Sequence, residues 1–262
     1  MRSSLCATTA LTVFLAACGG GGGGGGGGSG TESGDLQETA TMTESQSAQW
    51  WLNSGGEFDD TGSGSGSTIQ GNLPSDNRWH KAYAASNPRD TDGGSHPQNI
   101  FRLINRHTFQ DPHQHLEFEI TRLNVSKSPN RNESNGVLLL SHYQDGDTLY
   151  YMGVRVDGQA VIKKKVRGTY YTMAIRPIYP GSYNRGSNPN LIPTARFIAL
   201  DGDTVTNGNG TVTLRLAVDG TVVLETVDDA HIGGPPIRSA GFAGIRTDFM
   251  DVEFRNYSAT EQ

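Results

Sequence analysis

The sequence predicts an all-β protein, a β-jelly roll or concanavalin-like antiparallel sandwich. Between residue 50 and Tyr257, short runs of alternating apolar and polar residues are separated by clusters of Gly, Asn, Asp and Pro. No stretch shows the 3.6-residue period of an amphipathic helix of ordinary length. Many short strands, each with one apolar face, bury those faces when two antiparallel sheets stack on one core.

Alternation also predicts which residues face that core, because successive side chains of a strand point to opposite sides. The residues expected inside are Phe101, Leu103, Leu116, Phe118, Ile120, Phe249, Val252 and Phe254. Polar residues between them, such as Arg102, His115 and Glu117, are expected to face outward. A hairpin is expected at Asp219-Gly220, a dipeptide that favours a type I′ turn.

The first 17 residues have the pattern of an export signal. Arg2 precedes a short apolar stretch, Leu11–Ala17, which is too short to span a bilayer as a stable helix. Residues 15–18 read LAAC and resemble the bacterial lipobox, in which the chain is cut before the cysteine and the thiol, here that of Cys18, carries lipid. We therefore expect an exported lipoprotein at the outer membrane or cell surface, or a released form of it.

The rest of the chain divides at a change in composition. Residues 18–45 are rich in Gly and Ser and lack an apolar period, which predicts a disordered tether. Aromatic residues first appear just after it, so residues 46–262 are expected to form the β-jelly-roll catalytic domain. The membrane is then a partner only through the lipid at Cys18, and we expect a monomer.

Charge and cysteine content limit the partners. The formal net charge is −6 without a basic tail, so nucleic acid is not expected to bind, and an anionic polymer needs a local basic site. Both cysteines, Cys6 and Cys18, lie in or directly after the signal, which leaves no thiol for a disulfide or a metal. No cofactor or metal is expected, although oxygen-rich loops such as DDTGSGSG leave calcium open.

The stretch DTLYYMGVRVDGQAVIKKKVRGTYYTMA, residues 147–174, predicts three consecutive strands. If residues 157–158 and 167–168 form two-residue turns, the register follows by counting outward. Lys164 then lies between Tyr151 and Tyr171 on one face. In this register Arg155 shares that face, and the residues expected on the core side are Met152, Val154, Val156 and Val161.

Such a row suits proton transfer, because a lysine beside a phenol lowers the tyrosine pKa. Tyr151 and Tyr171 are candidates for base and acid, and Lys164 and Arg155 can neutralise a substrate carboxylate. These groups fit β-elimination across the glycosidic bond of a uronic acid, without a metal or organic cofactor. The alternative is structural: lysines protect a sheet edge and tyrosines fill an exposed sheet face.

Further candidates come from an outward strand face and from two long polar loops. His115 is a candidate second proton carrier. The additional binding candidates are Arg102 on its strand, Trp79 and Tyr83 in the segment 78–99, and Tyr183 and Arg185 in the segment 175–193. Trp79 and Tyr83 could stack on a sugar ring, or the loop aromatics could plug the end of the sandwich.

Three motifs resemble jelly-roll polysaccharide lyases. NIFRL, QHLEFEI and YYMGVRVDG, which lie within residues 99–174, are similar to the arginine strand, the glutamine–histidine strand and the aromatic-glycine strand of that family, in which alginate lyases are best known. The match departs from alginate lyases at Arg102-Leu103-Ile104, where they have Arg-Xaa-Glu-Leu, and at the adjacent Gln114-His115, where their pair is separated by one residue.

The lipoprotein format and the lysine–tyrosine row look more like the jelly-roll ulvan lyases. That resemblance implies a lysine that neutralises the uronate, a tyrosine that acts as base and acid, and a sulfated algal polysaccharide as substrate. Two other functions stay open. A glycoside hydrolase of the same fold needs paired carboxylates, for which LEFEI offers Glu117 and Glu119 without the intervening Asp. A non-catalytic carbohydrate-binding lipoprotein needs only the loop aromatics.

Overall fold

The computed structural model describes residues 49–52, 56–59, 63–194 and 196–262. The predicted signal peptide, Cys18 and the tether lie outside the described residues and stay predictions. No helix in the described ranges is both long and apolar enough to cross a membrane.

Strands dominate the described residues. They are β1 (Trp50–Leu52), β2 (Glu57–Asp59), β3 (Ser65–Ser67), β4 (Phe101–Phe109), β5 (Pro112–Leu123), β6 (Gly136–Asp145), β7 (Thr148–Arg155), β8 (Gln159–Val166), β9 (Thr169–Pro177), β10 (Ile198–Thr206), β11 (Val212–Val218), β12 (Thr221–Asp228), β13 (Gly241–Thr247) and β14 (Met250–Glu261). One α-helix, α1 (Arg78–Ser86), and a 3-10 helix, Pro97–Ile100, precede β4.

The strands pair into two antiparallel sheets of seven strands each. The front sheet has the order β1-β4-β13-β6-β7-β8-β9, and the back sheet has the order β12-β11-β10-β5-β14-β3-β2. Because β13 inserts between β4 and β6, and β14 lies between β5 and β3, strands distant in the chain are neighbours in space. This arrangement confirms the predicted all-β antiparallel sandwich.

The core lies between the sheets and follows the alternation of the strands. All eight residues predicted inside are buried, and seven of them belong to one cluster that joins the two inner faces, whereas Phe249 lies outside that cluster. A second, smaller apolar cluster lies on the outer face of the front sheet. Its buried residues are Trp51, Ile104, Leu138, Leu140, Tyr143, Leu149, Tyr151 and Val161. The front sheet is therefore apolar on both faces.

Helix α1 occupies a segment predicted to be a long loop, so that prediction was wrong. Asn77 caps the helix, because its side-chain oxygen accepts a hydrogen bond from the Trp79 backbone N–H at 2.8 Å. Trp79 and Tyr83, one turn apart, are both buried on the inner side of the helix. Two buried aromatic residues stabilise this short helix by packing, and its nine residues are too few to give a clear period in the sequence.

Two of the three predicted two-residue turns are confirmed, and both have the type I′ form. Both central residues have positive φ at Arg167-Gly168 (49° and 79°) and at Asp219-Gly220 (50° and 74°), as this turn requires. The flanking pairs, Val166 with Thr169 and Val218 with Thr221, close hairpins of two residues.

The turn between β7 and β8 has three residues, so the prediction of a two-residue turn at 157–158 was wrong. Gly158 has a φ of 82°, and its N–H donates to the Arg155 carbonyl at 2.9 Å, whereas Asp157 keeps a negative φ. The segment 178–191 holds this form: the N–H groups of Ile178 and Tyr179 both donate to the Gly158 carbonyl at 2.9 Å. Tertiary contacts thus select the longer turn.

The extra turn residue shifts the register by one position. Tyr151 pairs with Lys163, and Tyr150 pairs with Lys164, whereas counting from a two-residue turn pairs Tyr151 with Lys164. A one-residue shift moves every side chain of the strand to the other face. Val161, predicted for the core, therefore joins the outer cluster, while Met152, Val154 and Val156 remain in the core as predicted.

Candidate functional site

A cleft of about 490 Å³ opens on the outer face of the front sheet. Its floor comes from five different strands through Leu138, Tyr151, Lys163, Tyr170 and Arg246. Its wall comes from the segment 130–135, which supplies three asparagines and a serine, and from Asp90, Asp248 and Phe249. The cleft therefore combines two phenols and two cations on a rigid sheet with an amide-rich rim.

The strand register brings these floor residues together. Tyr151 on β7 is directly opposite Lys163 on β8, and Arg246 on β13 is opposite Leu138 on β6. The ring centroids of Tyr151 and Tyr170 lie 5.8 Å apart, so the terminal strand β9 also reaches the cleft. Side chains fixed on strands have defined positions, which a catalytic arrangement requires.

Arg246 connects the two phenols. One of its terminal nitrogens, Nη1, donates to the Tyr151 hydroxyl at 3.1 Å and to the Tyr170 hydroxyl at 3.3 Å. The other face of the guanidinium binds Asp248, with Nη2 to Oδ1 at 2.8 Å and Nε to Oδ1 at 2.9 Å. Although burial opposes its charge, Asp248 and the two phenols raise the pKa of Arg246 well above its usual value. The cation is therefore permanent and fixed in position.

The pKa values of the two phenols are shifted in opposite directions from the usual value of a tyrosine. Burial raises the pKa of Tyr151 to about 12, and Arg246 offsets this only in part. Burial also acts to raise the pKa of Tyr170, but Arg246 and the Lys165 ammonium outweigh it and bring the value below the usual one. Neighbouring groups with pKa values pushed apart are suited to separate acid and base roles. Tyr170 is the candidate base and Tyr151 the candidate acid.

Lys163 is a cation for which the described part of the chain offers no carboxylate partner. Among the described residues, its ammonium takes part in no ion pair, and the nearest aromatic ring is that of Tyr170, 6.0 Å away. Burial first, and then the charges of Arg155 and Arg246, lower its pKa. A half-buried ammonium without a counterion, in a cleft beside a guanidinium, offers a binding position for an anion.

Lys164 does not reach this cleft, so its predicted catalytic role was wrong. Its side chain is fully buried on the inner face of the front sheet, and Nζ lies 2.8 Å from Asp228 Oδ2. Three carbonyl oxygens of the segment 229–240 also accept from Nζ at 2.6–3.2 Å, those of Ile232, Gly234 and Pro235. The one-residue register shift is the physical reason.

Asp228 also accepts a hydrogen bond from the buried hydroxyl of Tyr150 at 2.6 Å. That hydroxyl in turn accepts from the Ile237 N–H at 2.8 Å. Lys164, Asp228 and Tyr150 thus form a closed internal network that anchors the segment after β12 to the front sheet.

Tyr171 and His115 are also separated from Tyr151, so the predicted grouping of these residues was wrong. Tyr171 is the cross-strand partner of Lys164 and packs against Gly233, so it lies on the inner side of β9. His115 lies on β5 in the back sheet and faces outward, with its Nδ1 2.6 Å from Asp201 Oδ1. Alternation predicted its outward direction correctly, but sequence cannot assign β5 to the opposite sheet.

The two predicted arginines on strands are on the front sheet. Arg102 is the cross-strand partner of Arg246, and its charge acts to lower the pKa of Tyr151, so it lies on the outer face as alternation predicted, while its binding role stays a prediction. Arg155 is buried near the β7–β8 turn, where it binds Asp157 at 2.6 Å and the Glu133 carbonyl at 3.1 Å. Because its guanidinium is buried and already paired with Asp157, Arg155 is not free to bind a substrate as predicted.

The four loop candidates make structural contacts, and only two of them are buried. Trp79 and Tyr83 are buried in α1 and stack with ring centroids 6.1 Å apart, so neither presents a face for a sugar, contrary to the prediction. Arg185 donates to the carbonyls of Lys127 and Ser128 at 3.2 and 2.6 Å and so ties two loops together. Tyr183 packs against the edge of the core. Burial therefore excludes the predicted stacking of Trp79 and Tyr83 on a sugar, whereas the binding roles of Tyr183, which is partly buried, and of Arg185, which is exposed, stay predictions.

Sequence reasoning missed Lys163, Tyr170 and Arg246. Alternation around Ile245 signals that Arg246 faces outward, as for Arg102. Its position in the cleft depends on β13 pairing with β6 and β4, which are more than 95 residues away in the chain. Lys163 and Tyr170 were each one residue from a predicted site residue, and only the turn length distinguishes the two sets.

No family model matches this chain, and no curated protein matches it. Solved structures do. The carbohydrate-binding module CBM66 from Bacillus subtilis aligns over 61% of this chain and 81% of its own, with 12% identity and a TM-score of 0.45.

Two further structures show the range of these matches. A protein of unknown function with a galectin-like fold from Bacillus subtilis aligns over 87% of this chain and 97% of its own, with 12% identity and a TM-score of 0.46. A Bacillus licheniformis β-glucanase aligns over 62% and 71%, with 9% identity and a TM-score of 0.36. Similarity at this level does not inform the ligand or activity of the present chain.

Proposed function

We propose that the protein is a polysaccharide lyase that cleaves an acidic, uronate-containing glycan by β-elimination in the front-sheet cleft. The observation that carries this proposal is the arrangement around Arg246. A single guanidinium nitrogen contacts one phenol with a lowered pKa and another with a raised pKa, beside the Lys163 ammonium, which has no carboxylate partner among the described residues. These are the charges and proton carriers that elimination next to a carboxylate needs.

The proposed reaction starts with charge neutralisation. The uronate carboxylate binds the Lys163 ammonium, with Arg246 close by, and this makes the proton on the adjacent C5 carbon more acidic. The phenolate of Tyr170 removes that proton, and the electron pair forms a double bond between C4 and C5. The bond from C4 to the glycosidic oxygen breaks, and Tyr151 donates its proton to the leaving oxygen. No water enters the products, and no metal takes part.

The geometry also provides for the return to the starting state. After one cycle, Tyr170 holds a proton and Tyr151 has lost one. The two hydroxyls interact directly and share the Nη1 donor of Arg246, so a proton can pass from Tyr170 to Tyr151. The same pair of phenols is then ready for another substrate.

A hydrolase is less well supported by the cleft. Hydrolysis needs two carboxyl groups that are free to act as acid and base or nucleophile. The lining carboxylates, Asp90 and Asp248, are both occupied: Asp248 binds Arg246, and Asp90 accepts from Ser128 at 2.6 Å and from Asn130 at 3.0 Å. The predicted pair on β5, Glu117 and Glu119, faces outward on the back sheet.

One observation favours binding without turnover as the second candidate. The Tyr151 side chain is only 3% exposed, so its hydroxyl reaches a bound glycan only at the floor of the cleft. A binding module uses the same cations and amide rim to hold an acidic glycan, without any proton transfer. Under this alternative the phenols serve only as packing and hydrogen-bonding groups.

The location and the identity of the polymer rest on the sequence alone. The LAAC motif at residues 15–18 and the Gly-rich stretch after it support a lipid-anchored, exported enzyme. The resemblance to ulvan lyases supports an algal polymer of the ulvan type as the first substrate to test.

The test is a screen of the purified mature chain against ulvan, alginate, glucuronan and a heparin-type glycan. The measured quantity is the ultraviolet absorbance of the unsaturated uronate ends, with reducing ends and binding followed in parallel. We expect absorbance on at least one polymer, and its loss in Tyr170→Phe with binding retained. New reducing ends without absorbance would establish hydrolysis, and binding without either signal would establish a binding module.

A further inference from the structure

A second site of chemical interest lies on the opposite side of the molecule, on the outer face of the back sheet. His113 and His115 occupy alternate positions of β5, and both side chains point outward, with 40% and 30% of their surface exposed. Alternate residues of a strand lie on the same face and about 7 Å apart between Cα atoms. Two imidazoles are thus placed side by side above the sheet.

Both rings are held in the same orientation by carboxylates of the neighbouring strand. Asp203 and Asp201 on β10 are the direct cross-strand partners of His113 and His115. The Nδ1 atoms lie 2.7 Å and 2.6 Å from the Oδ1 atoms of these partners. A carboxylate accepts a hydrogen bond from Nδ1–H, which leaves the lone pair on Nε2 of each ring.

The strand on the other side leaves this surface open. On β14, Ser258 and Thr260 are the cross-strand partners of His115 and His113, and both are small and exposed. A third carboxylate, that of Glu117, places its Oε1 3.8 Å from His115 Nε2. It also accepts from Arg255 and Asn256, so its position is fixed.

We propose that His113 and His115 form a two-imidazole binding site for a borderline divalent transition metal such as Zn²⁺, Ni²⁺ or Cu²⁺. Carboxylates that orient both imidazoles through Nδ1 are the typical outer partners of metal-binding histidines. Neutral imidazole nitrogen is a preferred ligand for these ions, and three nearby carboxylates provide an attractive negative field. Binding forms two Nε2–metal bonds and displaces water or protons, with no redox change.

The site is an open chelate with water in the remaining coordination positions. Within the described ranges, no group of three or more His, Cys, Asp or Glu side chains is arranged as a metal cage. A two-ligand site has lower affinity than a closed structural site, which needs four protein ligands. The metal is thus exchangeable, and the fold does not depend on it.

In the experiment, the untagged mature chain is titrated with nickel chloride and, separately, with zinc chloride, and calorimetry measures the heat of binding. We expect saturable one-site binding in the micromolar range. His113→Ala and His115→Ala are each expected to weaken it by at least about tenfold, and Asp201→Asn combined with Asp203→Asn by about 10- to 100-fold. Calcium chloride is expected not to compete, because calcium prefers oxygen ligands.

His231→Ala is the matched control. His231 also faces a carboxylate, with Nδ1 2.8 Å from Asp229 Oδ1. It lies on an exposed turn and not on β5 with His113 and His115. This variant is expected to bind metal like the wild-type chain. The proposal is overturned if the wild-type chain binds only at millimolar metal, or if the double variant His113→Ala/His115→Ala binds as tightly as the wild type. Lyase activity is not involved in either readout.

Discussion

Two consecutive lysines of β8 lie on opposite faces of the front sheet, and their ammonium groups have very different surroundings. Lys164 points inward, is fully buried, and has a carboxylate and three carbonyl oxygens around its ammonium. Lys163 points outward into the cleft and, in the described part of the chain, has no carboxylate partner. A buried charge requires compensation inside the protein, whereas an uncompensated charge at a cleft is available to a ligand.

The comparison extends to the neighbouring tyrosines. Tyr170 shares the outer face with Lys163, contacts Arg246 and has a lowered pKa. Tyr171 shares the inner face with Lys164 and packs against Gly233. We therefore expect substitutions on the outer face to change turnover and substitutions on the inner face to change stability.

The largest expected effect is on turnover. Tyr170→Phe removes the proposed base and should lower kcat by about 10²- to 10⁴-fold on the active polymer, since that is the usual contribution of a positioned proton carrier. The free energy of unfolding should hardly change, because the Tyr170 side chain is half exposed. Tyr171→Phe is the matched control and should keep turnover within a few-fold. If both variants were equally active, Tyr170 would not be the base.

The next effect is on stability. Lys164→Met leaves Asp228 buried without a counterion, and the free energy of unfolding should fall by about 3–5 kcal/mol. Lys163→Met, one residue earlier, should change it by less than about 0.5 kcal/mol, as for most surface positions. Chemical denaturation measures both values. Equal losses in the two variants would contradict the assignment of the lysines to opposite faces.

The pH profile sharpens the assignment of acid and base. Because the pKa of Tyr170 lies below its usual value of 10, the base form increases as pH rises toward that pKa, and kcat/KM should climb about tenfold per unit in this range. At higher pH the rate should fall, first as Lys163 loses its proton at a pKa below 10.5 and then as Tyr151 does at about 12. A rate highest in acid would exclude a phenolate base.

The smallest expected effect concerns the turn that sets the register. Gly158 has positive φ, and a Cβ at this position would clash with the Tyr179 carbonyl oxygen. Gly158→Ala should lower the free energy of unfolding by about 1–3 kcal/mol. Gly220 also has positive φ but has open space around it, so Gly220→Ala should cause a smaller loss, about 1 kcal/mol. Thermal unfolding of the two variants side by side measures the contribution of the contact with Tyr179.

Local patterns predicted much of this molecule correctly. Strand alternation identified seven residues of the core between the sheets and the outward direction of His115, because the two-residue period of a strand is a property of the backbone itself. The turns at Arg167-Gly168 and Asp219-Gly220 followed from the glycine at the second turn position, which adopts positive φ without strain. The outward direction of Arg102 followed from the same alternation.

The sequence predicted the residue types of the site but not all of its residues. A lysine and tyrosines on one sheet face were expected, but the structure places Lys163 and Tyr170 there in place of Lys164 and Tyr171. The cause is one additional residue in the β7–β8 turn, which contacts from the segment 178–191 stabilise. A local dipeptide preference does not outweigh several long-range hydrogen bonds, each of which contributes about 0.5–1.5 kcal/mol.

By itself, the sequence determined the fold class, the inward and outward faces of most strands and the expectation of an exported chain, because these depend on local periodicity and composition. Only the tertiary structure decided that Arg246 joins two phenols, that β5 and His115 lie on the opposite sheet and that Lys164 is internal. These facts depend on strand order and register, which are set by contacts between segments far apart in the chain. Such contacts leave no local signal in the residues that they bring together.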